Sequence, residues 1–322
     1  RKESSAASDV YKRQGQNNTS DLSRPTKINK TTYFNGNKID AFWTAGAGYA
    51  FCFALDVTGK LYTWGYNGYG VLGHGNTTNL SVPTEIPSIT WDNGASNPGK
   101  IKKLLVDSQQ SYQRCAILTE KGKIYWCGRN EYGWAMMGNT TDVSSFTIMS
   151  NGPGSGTYSD CQNMWFTGNG RYASFWTKDS KDEIKCCGYN GNYELGIGNS
   201  TNQTAAVSPK WQINGTTTSD LHNIKDIGCN SEYGNQWMCN LWVLTYDGFM
   251  FNTGRNNYGL GAQGWSSEYN DRQSANGIEE TDDYYFQMQR MPNYAHGRVE
   301  DVRGRGYYST DGNRYHCLLY TS

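Results

Sequence analysis

Residues 55–86, LDVTGKLYTWGYNGYGVLGHGNTTNLSVPTEI, decide the fold, because degenerate copies of this stretch recur along the chain. Four copies end a strand-like run on a glycine, which we call the anchor glycine. The runs are LYTWG, IYWCG, IKCCG and MFNTG, and they end at Gly65, Gly128, Gly188 and Gly254. Successive anchors are 63, 60 and 66 residues apart. Repeats of this length predict an array of similar structural units.

Further positions repeat around the anchor glycines. Asparagine follows each anchor at the second place, and tyrosine stands at the fourth place in three copies, as Tyr69, Tyr132 and Tyr258. We interpret the glycines as sites of close backbone approach, the asparagines as partners of turn backbone groups, and the aromatic residues as packing between units. The positions given a structural role in this way are Gly65, Asn67, Gly128, Asn130, Gly188, Asn190, Gly254 and Asn256.

Each copy has the pattern of a β-hairpin with one more strand on either side. Apolar runs at residues 51–55 and 61–64 flank a turn at 56–59, where glycine accommodates a positive φ angle. Residues 115–118 and 123–127 repeat this design in the second copy. Four short strands per repeat predict one propeller blade per repeat, and hence an all-β protein.

Both ends of the chain depart from the repeat pattern. Residues 4–14, SSAASDVYKRQ, and residues 317–322, CLLYTS, resemble the translation of a transposon-type sequencing adaptor, so we expect 1–14 and 317–322 to be non-native ends of a library fragment. Residues 15–316 are then the propeller fragment. Its expected divisions are the tail of a preceding blade at 15–28, blades at 40–87, 101–150, 161–210 and 224–297, and the start of a further blade at 298–316.

The first copy resembles a known repeat family. Residues 59–86, GKLYTWGYNGYGVLGHGNTTNLSVPTEI, are similar to the repeat of the regulator of chromosome condensation (RCC1) family, and the similarity weakens toward 224–261. Only Trp64 keeps the tryptophan that precedes the anchor glycine. The resemblance implies an RCC1-like β-propeller with four recognisable blades and two partial ones, taken from a ring of seven. The signatures of WD40 and kelch propellers do not recur.

Charge and hydropathy restrict the class of partner. Without the residues at both ends, the 29 basic and 29 acidic residues become 25 and 27. A near-neutral array lacks the basic surface typical of nucleic-acid binding. The longest apolar run, residues 51–55, is too short to span a membrane.

The sequence contains few residues suited to catalysis or metal binding. We find no nucleophile motif, phosphate-binding loop or CxxC pair, and we predict no catalytic residue, cofactor or metal. Cys115 and Cys127 are symmetrical about a hairpin turn, so they are either buried apolar side chains, which we favour, or a disulfide in an oxidising compartment. The recurrent Asn-x-Ser/Thr sequons follow from the composition of a polar loop.

The long insertion at residues 262–297 is the candidate partner-binding loop, because long loops on rigid scaffolds often carry function. It combines aromatic residues with an acidic run, as binding hot spots do. The alternatives are a solvated acidic loop, a lid over a blade edge, or disorder. The candidate residues are Trp265, Tyr269, Glu279, Glu280, Asp282, Asp283, Tyr284, Tyr285 and Phe286.

The family resemblance implies several functional classes. We favour a non-enzymatic module that recognises a protein or glycan through propeller rim loops, in a microbial surface, secreted or phage-particle setting. An extracellular or virion-associated location follows from this choice. The alternative is a guanine-nucleotide exchange factor for a small GTPase, with the 262–297 insertion likened to an exchange loop by its length alone. An enzyme that uses the propeller channel is a third class.

Overall fold

The computed structural model describes most of the repeat region. The chain divides into two compact units. The first unit is Arg1–Glu131, Thr140–Ser150 and Ser155–Cys161; the second is Tyr132–Asn139, Asn151–Gly154 and Gln162–Ser322. The described residues are 26–46, 49–86, 100–109, 112–150, 159–168, 170–213, 216–218, 223–230, 240–255, 284–290, 299–305 and 316–321.

The first unit contains two four-stranded antiparallel sheets. The first sheet has the order β1-β2-β3-β4 and the second the order β5-β6-β7-β8. The strands of the first sheet are β1 (Ile39–Ala45), β2 (Phe51–Asp56), β3 (Leu61–Gly65) and β4 (Leu80–Glu85). Those of the second are β5 (Ile101–Gln109), β6 (Tyr112–Thr119), β7 (Ile124–Gly128) and β8 (Val143–Ile148).

The second unit contains a four-stranded sheet, a six-stranded sheet and a terminal hairpin. The four-stranded sheet consists of β9 (Cys161–Thr167), β10 (Ser174–Asp179), β11 (Ile184–Gly188) and β12 (Gln203–Val207). The six-stranded sheet consists of β13 (Trp211–Ile213), β14 (Thr216–Thr218), β15 (Ile224–Asn230), β16 (Asn240–Thr245), β17 (Met250–Arg255) and β18 (Tyr284–Arg290). The hairpin consists of β19 (Val299–Arg305) and β20 (His316–Thr321).

The central hairpin of each sheet is closed by a side chain at its turn. In the first sheet, Asp56 Oδ1 accepts hydrogen bonds from Thr58 N at 2.8 Å and Lys60 N at 3.0 Å. Burial alone would raise the pKa of Asp56, but the hydrogen bonds from Thr58, Lys60 and Asn37 hold it below its ordinary value. Asp179 makes the corresponding bonds in the third sheet. The turn residues therefore fix the hairpin register by satisfying backbone donors.

The cores lie between successive sheets of each unit. In the first unit, Phe51 and Phe53 of β2 pack in one cluster with Cys115 and Ile117 of β6. The opposite face of the first sheet buries Trp64 beneath Phe34, which follows helix α1 (Lys30–Tyr33). In the second unit, one cluster joins residues of β10 and β11 to residues of β15, β16 and β17. Successive sheets thus bury one face against the next, as stacked repeats do.

The prediction of an all-β fold with four blades is confirmed, since four sheets each contain four consecutive antiparallel strands. The structure adds features that the repeat pattern did not predict. β13 pairs in parallel with β18 and extends the fourth blade to six strands together with β14. Strand β18 lies inside the insertion predicted at 262–297. β20 includes residues of the predicted adaptor-derived end, whose leucines, tyrosine and threonine favour extended structure.

Candidate functional site

Each of the first three anchor glycines ends a strand. At Gly65 and Gly128 the backbone of the neighbouring strand comes very close to the glycine Cα. Gly65, Gly128 and Gly188 have φ angles of 110°, 100° and 109°. A Cβ atom on Gly65 would lie 2.6 Å from Ala50 O, and one on Gly128 would lie 2.5 Å from Gln113 O. These positions therefore need glycine for both conformation and space.

The asparagines two residues after the anchors hold the chain that follows. Asn67 is fully buried, and its Nδ2 donates to Asn76 O at 2.9 Å and to Thr78 O at 3.1 Å, while its Oδ1 accepts from Leu72 N at 2.9 Å. Asn190 makes the same three bonds, with distances of 2.7, 3.1 and 2.9 Å. Such a side chain fixes a long turn from inside, which is a structural role.

A backbone hydrogen bond next to each of the first three anchors brings two side chains together at this end of the blade. The N–H of the residue after the anchor donates to a carbonyl just before the hairpin: Tyr66 to Ala50, Arg129 to Gln113 and Tyr189 to Ala173, at 3.0, 2.8 and 3.1 Å. In each of these three copies the residue before that carbonyl is a tyrosine, namely Tyr49, Tyr112 or Tyr172. In the first copy the rings of Tyr49 and Tyr66 lie 4.8 Å apart.

In the second copy this arrangement places an arginine among tyrosines. The guanidinium carbon of Arg129 lies 4.5 Å from the ring centre of Tyr69 and 4.1 Å from that of Tyr112. Arg129 also donates to Tyr69 Oη at 3.3 Å and forms an ion pair with Glu131 at 2.6 Å. We call Tyr69, Tyr112, Arg129 and Glu131 the first Arg–Tyr cluster. Stacking on two rings orients the guanidinium.

In the third copy the same three repeat positions are all tyrosine, and an arginine is added beside them. Tyr189 lies 5.4 Å from Tyr132 and 4.9 Å from Tyr172 between ring centres, both in edge-to-face geometry. Arg171, in the 3-10 turn Gly170–Tyr172, donates Nε and Nη2 to Tyr132 Oη at 3.2 and 2.6 Å. We call Tyr132, Arg171, Tyr172 and Tyr189 the second Arg–Tyr cluster.

The side chains of both clusters are partly exposed, and buried hydrogen bonds hold the backbone beneath the second cluster. Their tyrosines are half-buried, apart from Tyr112, which is buried, and Arg171 is exposed. In the second cluster, buried Trp134 donates Nε1 to Ala173 O at 2.7 Å, the carbonyl that also accepts from Tyr189. Oriented tyrosine rings and arginine guanidinium groups are typical of protein-binding hot spots. Neither cluster contains a nucleophile paired with a base.

Glu194 lies outside the clusters and is a buried carboxylic acid with a strongly raised pKa. It occupies the repeat position of Val71 and Trp134, and it is 3% exposed. Its carboxylate accepts from Asn192 N and Nδ2, both at 2.9 Å. Burial raises the pKa of Glu194 to about 8, against the smaller effect of these bonds. Because the carboxyl group is buried in the repeat core, we infer that it affects folding stability rather than partner binding.

The seven cysteines whose side chains the structure describes are free thiols. Cys115 and Cys127 face each other across β6 and β7, and both are fully buried. Burial raises the pKa of the Cys127 thiol, with a further contribution from the neighbouring Cys115. His74 shares a hydrogen bond with Thr63 Oγ1 at 2.9 Å, and burial lowers its pKa. Groups of three or more potential metal ligands are absent from the described part of the chain.

The sequence-predicted binding loop falls largely outside the described residues. This applies to Trp265, Tyr269, Glu279, Glu280, Asp282 and Asp283, and also to the repeat position Asn256. Tyr284, Tyr285 and Phe286 belong to β18, where Tyr285 pairs with Gly254 and Tyr284 with Arg255. These three residues therefore belong to the fourth strand of a blade.

The Arg–Tyr clusters were missed at the sequence level. A signal was present, because tyrosine or arginine recurs directly after the anchor glycine and tyrosine recurs two residues before the anchor's strand partner. The repeat pattern alone assigned such residues to packing. Their assembly depends on contacts between successive copies, which spacing along one copy does not reveal.

One segment of the chain is similar in sequence to a known repeat family. Residues 58–91 match the family described as the regulator of chromosome condensation (RCC1) repeat. Residues 58–91 are therefore an RCC1-like repeat. Human E3 ubiquitin-protein ligase HERC2 is 30% identical over 145 residues, which are 41% of this chain and 3% of HERC2. Human protein RCC2 is 31% identical over 100 residues, which are 30% of this chain and 17% of RCC2. This chain thus matches only a small part of either relative.

Solved structures agree with this fold. The crystal structure of Kap60 bound to yeast RCC1 (Prp20) superposes on this chain with a TM-score of 0.56 at 12% sequence identity. The match covers 87% of this chain and 56% of the other. Human WBSCR16 gives a TM-score of 0.52 at 17% identity, covering 83% and 55%. The fold is an RCC1-like β-propeller. No helix among the described residues is long and apolar enough to cross a bilayer.

Proposed function

We propose that this chain is a non-enzymatic recognition module that binds a protein partner through its Arg–Tyr clusters. The observation that carries the proposal is the recurrence of these clusters. The same backbone bond next to the anchor presents Arg129 in one copy and Tyr189 in the next, each beside a tyrosine that precedes the hairpin. A repeat that only packed its blades would not need oriented, half-exposed tyrosine and arginine side chains at this end.

Chemistry supports recognition over catalysis. Tyrosine and arginine supply large contact areas with few freely rotating bonds, and both pair polar groups at their tips. The near-zero formal charge disfavours binding driven by overall electrostatics, so affinity has to come from local contacts. Yeast RCC1 was crystallised with Kap60 bound to it, which is a precedent for a propeller of this fold with a protein partner.

The proposal retains two expectations from the sequence. The 262–297 insertion is an additional contact region, and the setting is a microbial surface, a secreted protein or a phage particle. The exchange-factor alternative rests on the RCC1-like repeats. Its test is the release of labelled GDP from purified small GTPases. The recognition module leaves release unchanged at catalytic concentration, whereas acceleration would replace our proposal with the exchange function.

Site-specific photo-crosslinking tests the binding surface. A benzophenone amino acid at Tyr172 should crosslink a partner in an extract of the source organism. The matched control carries the same group at Tyr246, an exposed tyrosine in the turn after β16, at the opposite end of its blade. The partner is then purified and titrated against the chain. Identical crosslinks from both positions, or a purified partner that fails to bind, would contradict the proposal.

A further inference from the structure

An asparagine that begins an Asn-x-Thr sequon recurs eleven places after the anchor glycine. All of these asparagines and threonines are exposed. We call the three segments the turn sequons, and their residues are Asn76 with Thr78, Asn139 with Thr141, and Asn199 with Thr201. Composition explains why sequons are frequent in such loops, but only the structure shows how each side chain is presented.

The buried asparagine two places after the anchor holds the backbone of the turn sequon from inside. Asn67 Nδ2 donates to the carbonyls of Asn76 and Thr78 at 2.9 and 3.1 Å. In the third copy Asn190 Nδ2 donates to the two equivalent carbonyls at 2.7 and 3.1 Å. Because these bonds use main-chain oxygens of the sequon, the sequon side chains take no part in them.

The glycine before the turn sequon is tied to the edge strand of the next blade. Gly75 N donates to Ser144 O at 2.8 Å, and in the following copy Gly138 N donates to Thr204 O at 2.8 Å. Ser144 lies in β8 and Thr204 in β12, each the last strand of its sheet. The turn sequons are therefore exposed segments on a backbone that is fixed on both sides.

The asparagine side chain of the turn sequon forms an Asx turn with its own threonine. Asn76 Oδ1 accepts from Thr78 N at 2.8 Å, and Asn199 Oδ1 accepts from Thr201 N at 2.9 Å. This turn folds the hydroxyl-bearing residue back toward the asparagine amide. Both residues that define an acceptor sequon are thus brought together at the surface.

A glycan on the turn asparagine would leave its hydrogen bonds in place. Asn76 Nδ2 donates to His74 O at 3.3 Å, and Asn139 Nδ2 donates to Met137 O at 3.4 Å. An amide nitrogen carries two hydrogens, and glycan attachment replaces only one of them. The remaining N–H can keep its carbonyl partner, and Asn76 Oδ1 can keep its bond to Thr78 N. Attachment therefore has no cost in these bonds.

A second set of sequons begins three places later and is used differently. Asn79 Oδ1 accepts from Asn67 N at 2.7 Å, and Asn202 makes the equivalent bond at 2.8 Å. Asp142 makes it in the second copy, also at 2.8 Å. This position thus requires an acceptor oxygen directed into the loop, and aspartate can supply it. We assign Asn79 and Asn202 to the structure of the turn.

We propose that Asn76, Asn139 and Asn199 are sites of N-linked glycosylation. Asn Nδ2 forms a bond to the anomeric carbon of a sugar, while the bond from that carbon to a lipid-linked diphosphate breaks. The diphosphate is the leaving group, and a base of the oligosaccharyltransferase takes the amide proton. This inference rests on the secreted setting in the proposed function, and it adds a covalent modification at one repeated position of the blades.

The test is the occupancy of each sequon in the chain secreted from a eukaryotic host. Release of glycans by peptide N-glycosidase in heavy-oxygen water converts each glycosylated asparagine to a heavy aspartate, which peptide mass spectrometry detects. Asn76, Asn139 and Asn199 should be occupied in most molecules. Asn79 and Asn202 should be unmodified, because their side chains face the loop and a glycan three residues away blocks access.

The same measurement is made on the protein isolated from the source organism. Occupancy of the turn sequons there supports the proposal. Unmodified turn sequons in either preparation, or glycans on Asn79 and Asn202 in their place, would overturn it.

Aspartate variants remove the acceptor amide with little change in structure. Asn76→Asp and Asn199→Asp keep the oxygen that accepts from the threonine N–H, so the urea unfolding midpoint should stay near the wild-type value. Each of these variants, and Asn139→Asp, should lose the mass of one glycan. The control Asn79→Asp/Asn202→Asp keeps the inward bond, as Asp142 does, and should retain all three glycans. Loss of glycans in the control but not in the turn variants would contradict the assignment.

Failure of this inference can be told apart from failure of the proposed function, because occupancy is measured without a partner. If the turn sequons are unmodified but the partner crosslinked at Tyr172 binds the purified chain, the recognition module stands and the glycan sites are wrong. If the sequons are occupied but no partner binds, the glycan sites stand and the Arg–Tyr surface is wrong.

Discussion

Replacing Glu194 with glutamine should change how the stability of the protein depends on pH. The carboxyl group is buried and has a pKa of about 8, compared with an ordinary value of 4.5. The folded protein therefore keeps a proton that the unfolded chain releases between these two values. Stability from this group is fully present below about pH 4.5 and falls as the pH rises to about 8, above which it changes no further.

The size of this effect follows from the shift. A pKa difference of about 3.5 units corresponds to roughly 5 kcal/mol at about 1.4 kcal/mol per unit, as an order of magnitude. Since glutamine does not titrate, Glu194→Gln should lose this pH dependence. It retains an oxygen for one of the two bonds from Asn192. At acidic pH the variant should be less stable than the wild type by about 1 kcal/mol, and above about pH 8 it should be more stable.

The assay is urea unfolding followed by intrinsic fluorescence at about pH 5 and about pH 9. The difference between variant and wild-type midpoints should change by roughly 2 M between these pH values, for a denaturant slope of about 2–3 kcal/mol/M. Glu183→Gln is the control, because Glu183 is exposed at the turn before β11. If the difference between Glu194→Gln and wild type is the same at both pH values, the buried carboxyl does not titrate as described, and the reasoning fails.

Three further predictions concern the repeat framework. Gly128→Ala should cost about 3 kcal/mol or more by urea unfolding, because its Cβ would meet Gln113 O at 2.5 Å. Gly59→Ala, with a similar φ angle but nothing within 4 Å of its Cβ, should cost only about 1 kcal/mol, and equal losses would contradict the steric argument. Asn67→Ala should cost roughly 2–4 kcal/mol, because it leaves the buried Leu72 N–H and the partly buried carbonyls of Asn76 and Thr78 without their partner. Asn76→Ala on the exposed turn should cost less than about 1 kcal/mol, and a reversed order would show that Asn67 does not hold this turn from inside. Cys127 and Cys186 should resist iodoacetamide in the folded protein and react once it is unfolded in urea, as read by mass spectrometry; rapid labelling of the native chain would show that these thiols are not buried.

The blade framework could be predicted from the sequence because its determinants lie close together in each copy. The turn residues, the anchor glycine and the asparagine two places later all act within about 15 residues of one another. The number of anchors then predicts the number of blades. This is why the all-β fold and the four blades could be derived from periodicity alone.

The Arg–Tyr clusters could not be predicted in the same way, because each draws residues from two successive copies. Arg129 meets Tyr69 across 60 residues of sequence. The same holds for the parallel pairing of β13 with β18, which are separated by most of a blade. Glu194 is a different case. Comparison with Val71 and Trp134 shows an ionisable residue at an apolar position, but only the buried geometry explains how the carboxyl is accommodated.

The affinity of the purified, crosslinked partner for cluster variants tests the central claim most directly. The double variant Arg129→Ala/Arg171→Ala should bind at least about tenfold more weakly than the wild type, as loss of hot-spot arginines does. The control, Lys121→Ala/Lys181→Ala, removes the same charge from two hairpin turns and should bind like the wild type. Equal weakening in both double variants would mean that net charge governs binding. Unchanged affinity in the arginine variant would show that the partner binds elsewhere on the protein.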